Sequence, residues 1–299
     1  MIHKVRTAFG DSENTYNADN PEFLLPVQGT GQGNGAGPSI WSILCSTIFE
    51  ILHKEAHSST FCYALSRGLY KICGFAYVDD CDLFYLGNDA DEIFEGLASM
   101  LKMWDELMEV TGAAIAPDKC WWYLVDFTWH RGRWRCTDQG QQFEMRVRDK
   151  HGDEQVIKYL PSDVAKEMLG IYIAPDGNQH TQFKIMREKS STWAQYMAQG
   201  TLTTEVSWNT LNTTIIKSLE YPLAATTFTD EELTSIIAPA LQAGLPSSGI
   251  CRSFPRAILY GSPSAQGLGL HNLYHTQNIR HIKDIVDQSW KNTPSAKLL

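Results

Sequence analysis

Gly74-Phe75-Ala76-Tyr77-Val78-Asp79-Asp80-Cys81-Asp82 is the stretch on which the reading of this sequence turns. An apolar and aromatic run, Ile72 to Val78, is interrupted by Asp79 and Asp80 and resumes at Leu83 to Leu86. Such a pattern predicts a β-hairpin with acidic residues at its turn. Aspartate is a good turn former, so a solvated turn is the plain alternative. Two features weigh against it: the aromatic flanks anchor the turn in a sheet, and Asp82 adds a third carboxylate two residues on. Adjacent carboxylates next to an apolar core repel one another. A hard divalent cation offsets that repulsion, because Mg²⁺ prefers carboxylate oxygen.

Upstream of this hairpin lies a glycine cluster, Gly29 to Gly37, followed by Pro38. Glycines let a backbone approach a ligand closely, and a helix start offers free N–H groups to phosphate. Pro38 suits a first helical turn, and Ile40 to His57 reads as a helix apolar on most sides, hence buried. Gly31, Gly33 and Ala36 also fit the dinucleotide fingerprint. That fold wants an acidic strand end about 20 residues beyond the loop, and Asp79 is too distant. Downstream, Asp91 to Val110 is helical, with Ile93, Leu97, Met100, Leu101, Trp104, Leu107 and Met108 on one side and Gly112 closing it.

Two polar–apolar alternations follow, around Trp129–Cys136 and Phe143–Arg148, separated by Asp138 and Gly140. Met168 to Ile173 reads as a further strand ending at Pro175-Asp176-Gly177. From Phe183 the pattern turns helical, over 183–199, 205–220 and 230–243, which sets a domain boundary near Gly177.

Bulk properties narrow the classes. Apolar residues make up 43% of 299, enough for a sizeable core. The seven cysteines form no Cys-x-x-Cys pair, and no secretory signal is read. Reduced thiols in an intracellular protein are therefore expected. The longest apolar run, Ile40 to Leu52, is too short and too polar to span a bilayer. The net charge is −9, carried by residues 1–178, which hold 15 Lys and Arg against 26 Asp and Glu. Such an acidic portion needs divalent cations or a basic patch before it approaches phosphate.

Taken together, the segments resemble reverse transcriptases. The resemblance lies in Gln32-Gly33 leading into Pro38-Ser39-Ile40-Trp41, then Tyr77-Val78-Asp79-Asp80, then a helix, a Gly112 to Lys119 segment, and Leu169-Gly170. Order and spacing agree as well as residue type, over roughly residues 1–178, and the Gln-Gly-Asn-Gly-Ala-Gly-Pro wording looks like retrotransposon enzymes, of the non-LTR type, rather than retroviral ones. The resemblance implies an α+β fold: a partial right-hand polymerase palm over 1–178 with a β-hairpin insertion, then a mainly helical thumb-like region over 179–299. It implies RNA-templated DNA synthesis, with Asp79 and Asp80 as catalytic residues holding Mg²⁺ (or Mn²⁺) and Gln32, Gly33 and Lys119 as nucleotide-binding residues. Its implied partners are an RNA template, a DNA primer, deoxynucleoside triphosphates and other domains of a parent polyprotein, with no membrane.

One departure from the pattern is expected to matter. The family has a further metal-binding Asp on a strand upstream of the Gln-Gly loop, whereas Asp11 and Asp19 here lie in polar loop sequence. Neighbouring carboxylates alternate in direction along a strand, so Asp79 and Asp80 do not by themselves surround two metals. The sequence as written is therefore read as starting after that strand, without the fingers, and is expected not to extend a primer on its own. Two alternatives stay open: a non-catalytic nucleic-acid-binding or structural derivative, and an unrelated Asp-Asp metal hydrolase.

Other signals read more plainly. His53 with His57, and His271 with His275, share a helical spacing but lack a third zinc ligand, and read as surface or core histidines. Trp121, Trp122, Trp129 and Trp134 read as hairpin packing rather than base-stacking platforms. Arg131, Arg133 and Arg135 alternate at period two, as do Arg146, Arg148 and Lys150. They are expected to line one face of two neighbouring strands, either as a phosphate-contacting patch or as edge protection.

Overall fold

The computed structural model describes residues 8–9, 16–17, 37–55, 58–62, 68–77, 80–149, 151–291, 293 and 296. The fold is α+β, with helices and small antiparallel sheets. In chain order the strands are β1 (Ala8–Phe9), β2 (Tyr16–Asn17), β3 (Ser59–Cys62), β4 (Leu69–Ile72), β5 (Gly74–Tyr77), β6 (Asp80–Leu83), β7 (Trp121–Trp122), β8 (Val125–His130), β9 (Arg133–Asp138), β10 (Met145–Arg148), β11 (Glu154–Tyr159), β12 (Lys166–Met168) and β13 (Ile171–Ile173). The helices are α1 (Gly37–Lys54), α2 (Ala90–Val110), α3 (His180–Gln199), α4 (Thr204–Thr210), α5 (Ile216–Glu220), α6 (Asp230–Ser247), α7 (Arg256–Tyr260) and α8 (Leu273–Ser289). The chain divides into two compact units that alternate along the sequence. The first takes Met1–Ser59, Ile72–Cys120 and Glu144–Lys158, and the second takes Thr60–Lys71, Trp121–Phe143 and Tyr159–Leu299.

The first unit is organised by α2. Its start is fixed by Asp89, whose carboxylate accepts the Glu92 N–H at 2.8 Å. Its end is fixed by Gly112, with φ of 76°. There the Gly112 N–H reaches the Glu109 carbonyl and the Ala113 N–H reaches the Met108 carbonyl, the two bonds of a Schellman closure. Met100, Trp104 and Met108 are buried on its inner face and meet Ile48 and Leu52 of α1 and Cys73, with Cys81 and Leu83 of β6 packed alongside.

The expectation that α1 is buried all round is not met. Cys45, Ile48 and Leu52 are buried, one helical stripe, whereas Ile40 and Ile43 are half or more exposed. The inner face of α2 also carries a charge. Asp105 accepts from Arg148 Nε of β10 at 2.7 Å, and the same guanidinium reaches Glu109 at 2.8 Å.

In the second unit, two strands read as continuous are hairpins. β8 and β9 pair antiparallel with His130 opposite Arg133, so Arg131 and Gly132 form a two-residue turn. Both have positive φ, 49° and 77°, as a type I′ turn demands. Likewise β12 pairs with β13 across Leu169 and Gly170, at φ 50° and 79°. The left-handed Leu169 is tied down by its carbonyl, which accepts from the Tyr221 hydroxyl at 2.6 Å.

Beyond Gly177 the second unit is helical, with α3 packed along α6. Leu211, Ile215, Ile216, Leu219, Leu223, Leu233, Ile236 and Leu245 are fully buried there. Each contributes about 1.5–3 kcal/mol relative to exposure. Pro239, inside α6, has no N–H to give the helix, and the neighbouring Ala240 N–H reaches Ser190 Oγ of α3 at 3.4 Å. Glu220, at the end of α5, is buried with three nitrogen-bearing side chains around it. His271 Nδ1 is 2.6 Å from it, Lys217 Nζ 3.1 Å and Arg280 Nη2 3.5 Å.

Candidate functional site

The expected hairpin forms as β5 and β6, but the returning strand is Asp80–Leu83 rather than Leu83 to Leu86, so Asp80 lies in the strand and not at the turn. Its register pairs Gly74 with Leu83, Phe75 with Asp82, Ala76 with Cys81 and Tyr77 with Asp80. Alternation then sorts the side chains. Gly74, Ala76, Cys81 and Leu83 share the face on which Cys81 and Leu83 meet the core. Phe75, Tyr77, Asp80 and Asp82 share the other face, and all four are exposed. Gly74 is required by the pairing itself, since a Cβ there would lie 2.3 Å from the Asp82 backbone oxygen.

Asp80 is thus the first residue of the returning strand. Asp79, Gln32 and Gly33 lie outside the described residues, and so does the expected proximity of Asp79 to Gln32. Lys119 is exposed on the single 3₁₀ turn Pro117–Lys119 that follows α2. Among the described residues, no group of three or more His, Cys, Asp and Glu is placed to hold a metal.

Among the described residues, no ion pair engages Asp80 or Asp82. Partial burial, and then the neighbouring Asp80 charge, push the Asp82 carboxyl above its ordinary 3.8. Asp82 has substantial solvent exposure, so screening keeps the effect modest. A raised folded-state value means that the native protein holds this proton more tightly than the unfolded chain does. Stability is therefore lost as pH rises from 3.8 through the folded value. Asp82→Asn is expected to melt higher than the parent at about pH 7, with the gap closing at about pH 3, where both forms are neutral. Equal melting temperatures at neutral pH would show that Asp82 carries no such penalty. On the opposite face, burial pushes the Cys81 thiol up to about 12, with smaller contributions from Cys45, Asp82 and Cys73.

The arginine expectation needs correction. Arg131 sits in a hairpin turn, and only Arg133 and Arg135 share a strand face, with Thr128 and His130 opposite them. The strand of Arg146 and Arg148 pairs with β11 rather than with β9. Both of these arginines are engaged, Arg146 with Glu144 and Glu154, Arg148 with Asp105 and Glu109. Lys150 lies outside the described residues. By contrast, no ion pair engages Arg131, Arg133 or Arg135 among the described residues, and all three are exposed.

The tryptophans divide. Trp122 is buried against Tyr159 at 5.1 Å between ring centroids, and Lys166 Nζ lies 5.1 Å over the Trp121 ring. Trp129 and Trp134 do pack on one another across β8 and β9, 5.1 Å apart and near perpendicular. Even so they stay 60% and 65% exposed, which the sequence reading missed. The available signal was Gly132, whose placement after Arg131 marks the turn that sets the two tryptophans opposite each other. No helix among the described residues is long and apolar enough to cross a membrane. No family model matches the chain, and no curated protein matches it.

Proposed function

We propose that this chain derives from a reverse transcriptase, with residues 1–178 as palm and the helices after Gly177 in the place of the thumb. The observation that carries the reading is the β5–β6 hairpin. Asp80 and Asp82 share its solvent face with Tyr77, and Asp79 precedes Asp80 in the sequence. The donor set suits a hard cation: carboxylate oxygens alone, with Asp82 raised by burial and by its neighbour. Asp79 and Asp80 would hold Mg²⁺ or Mn²⁺, with Asp82 beside them.

In the parent reaction the primer 3′-oxygen bonds to the α-phosphorus of a deoxynucleoside triphosphate, and the bond to the leaving pyrophosphate breaks. A bound cation supplies charge neutralisation on the phosphates. On this chain, Gln32 and Gly33 would shape the nucleotide pocket and Lys119 would pair with phosphate oxygens. An RNA template and a DNA primer are the implied partners. A second reading, nucleic-acid binding without catalysis, is favoured by the exposed Arg131, Arg133 and Arg135, which no ion pair engages among the described residues.

The test is Mn²⁺ binding followed by electron paramagnetic resonance. Asp80→Asn and Asp79→Asn should each weaken binding about tenfold or more, since affinity follows the ligand charge count. Binding unchanged in both variants would remove the support for a catalytic cation here. Primer extension on an RNA template, with Asp79→Ala as control, reports separately on whether the chain is active by itself.

A further inference from the structure

We propose that the tip of the β8–β9 hairpin is a binding site for single-stranded nucleic acid, with Trp129 and Trp134 as the stacking platform and Arg131, Arg133 and Arg135 as the phosphate-binding groups. The inference does not rest on the polymerase reading, because it uses no residue of the β5–β6 hairpin.

The register places Trp129 directly opposite Trp134 on one face. Phe127 lies two residues along on the same face and is 59% exposed. Edge-to-face packing at 5.1 Å holds each indole against its neighbour while leaving most of both to solvent. An apolar surface of this size, held rigid and uncovered, is what successive bases stack on. Charge complementarity selects the occupant. From Phe127 to Arg135 there are three arginines and no acidic residue, in a chain whose net charge is −9. The acids stay at the hairpin's base, where Asp126 accepts from Gln139 Nε2 at 3.0 Å and Asp138 from the Ser162 N–H at 2.7 Å.

The arginines lie at the turn and on the face opposite the indoles. A two-stranded ribbon is only about 5 Å across between strands, so their long side chains reach round its edges to a backbone whose bases lie on the tryptophans. Duplex nucleic acid fits less well, since its bases are already stacked and have no face to offer an indole. An anionic membrane would also attract arginine and tryptophan, and the experiment separates the two.

The experiment is fluorescence anisotropy of the full chain with a labelled single-stranded oligonucleotide of mixed sequence, over a series of salt concentrations. A matched duplex and phosphatidylserine vesicles are measured alongside. The single strand should bind at least about tenfold more tightly than the duplex. Arg131→Gln, Arg133→Gln and Arg135→Gln combined should flatten the slope of log affinity against log salt by about 2, at roughly 0.7 for each phosphate left without its arginine. Because these side chains are exposed and no ion pair engages them among the described residues, that variant should keep the fold.

Trp129→Leu with Trp134→Leu should weaken binding about tenfold or more at constant salt slope. Equal binding of duplex and single strand, an unchanged slope in the arginine variant, or binding to vesicles alone would each overturn the proposal. The proposed Mn²⁺ site uses no residue of the β8–β9 hairpin, so a failure of the Mn²⁺ test and a failure here are independent results.

Discussion

Replacing Gly74 with alanine is expected to spring the β5–β6 hairpin open and expose Cys81 to alkylation. The added methyl would lie 2.3 Å from the Asp82 backbone oxygen and 3.1 Å from both Leu83 Cδ2 and Phe49 Cε1. The two side chains can rotate away. The backbone oxygen cannot move unless the strands part. Overpacking against side chains costs about 1–3 kcal/mol, and a clash with the strand's own partner should sit at or above the top of that range. At roughly 2–4 °C per kcal/mol, the melting temperature should fall by about 6 °C or more.

Cys81 supplies a local readout. Burial holds its thiol at about 12 in the parent, so almost no thiolate exists at neutral pH. Mass spectrometry after brief iodoacetamide treatment should find Cys81 intact in the parent and modified in Gly74→Ala. A variant with Cys81 still protected and an unchanged melting temperature would mean that the strand pairing is not as described. Because Asp80 and Asp82 ride on the same strand, the Mn²⁺ binding proposed for this hairpin should be lost with it.

The second large effect is expected at Gly267. A Cβ there would meet the Gly261 carbonyl oxygen at 2.1 Å, its carbon at 2.2 Å and its Cα at 2.5 Å. Around this close approach the chain folds back on itself. The Leu268 N–H donates to the Ile258 carbonyl, the Gly269 N–H to that of Gly261 and the Leu270 N–H to that of Leu259. Forcing the two backbones apart withdraws Leu259 and Leu270, which are 0% and 1% exposed. Gly267→Ala should therefore lose more than about 3 kcal/mol, the overpacking cost with leucine burial added. Gly152→Ala serves as the control. Its φ is 85° but nothing lies within 4 Å of the new methyl, so only left-handed strain of about 1–2 kcal/mol applies. Equal denaturant midpoints for the two variants would show that the close approach at Gly261 is not needed.

The hairpin, α2, α3 and α6 were legible in the sequence, since each rests on a local signal. The hairpin follows from an acidic break in an aromatic run. α2 follows from its apolar period and the glycine that closes it. What failed was counting at period two through a tight turn. Residues 129 and 134 are an odd number apart, yet a two-residue turn puts them on one face. The same shift separates Arg131 from Arg133 and Arg135, and it hid the turn at Leu169-Gly170. α1 was misjudged because composition cannot say which apolar residues find a partner.

α8 escaped for a related reason. Its apolar stripe, Ile279, Ile282 and Val286, is exposed, while the buried positions Leu273 and Gln277 are its less conspicuous ones. Of the candidate site, the residue types were readable but their grouping was not. That Asp80 pairs in direction with Asp82 follows from where the strand resumes, which only the register fixes.

The pairing of Asp105 with Arg148 also bears on synthesis. The two residues are 43 positions apart. A ribosome adding about 5–20 residues each second needs roughly 2 to 9 seconds to pass from one to the other. For that interval α2 presents an uncompensated carboxylate among Met100, Trp104 and Met108, the side chains that must be buried. Burial of that carboxylate without its guanidinium is disfavoured. The strand that carries Arg148 is therefore also the one that brings the charge neutralising Asp105.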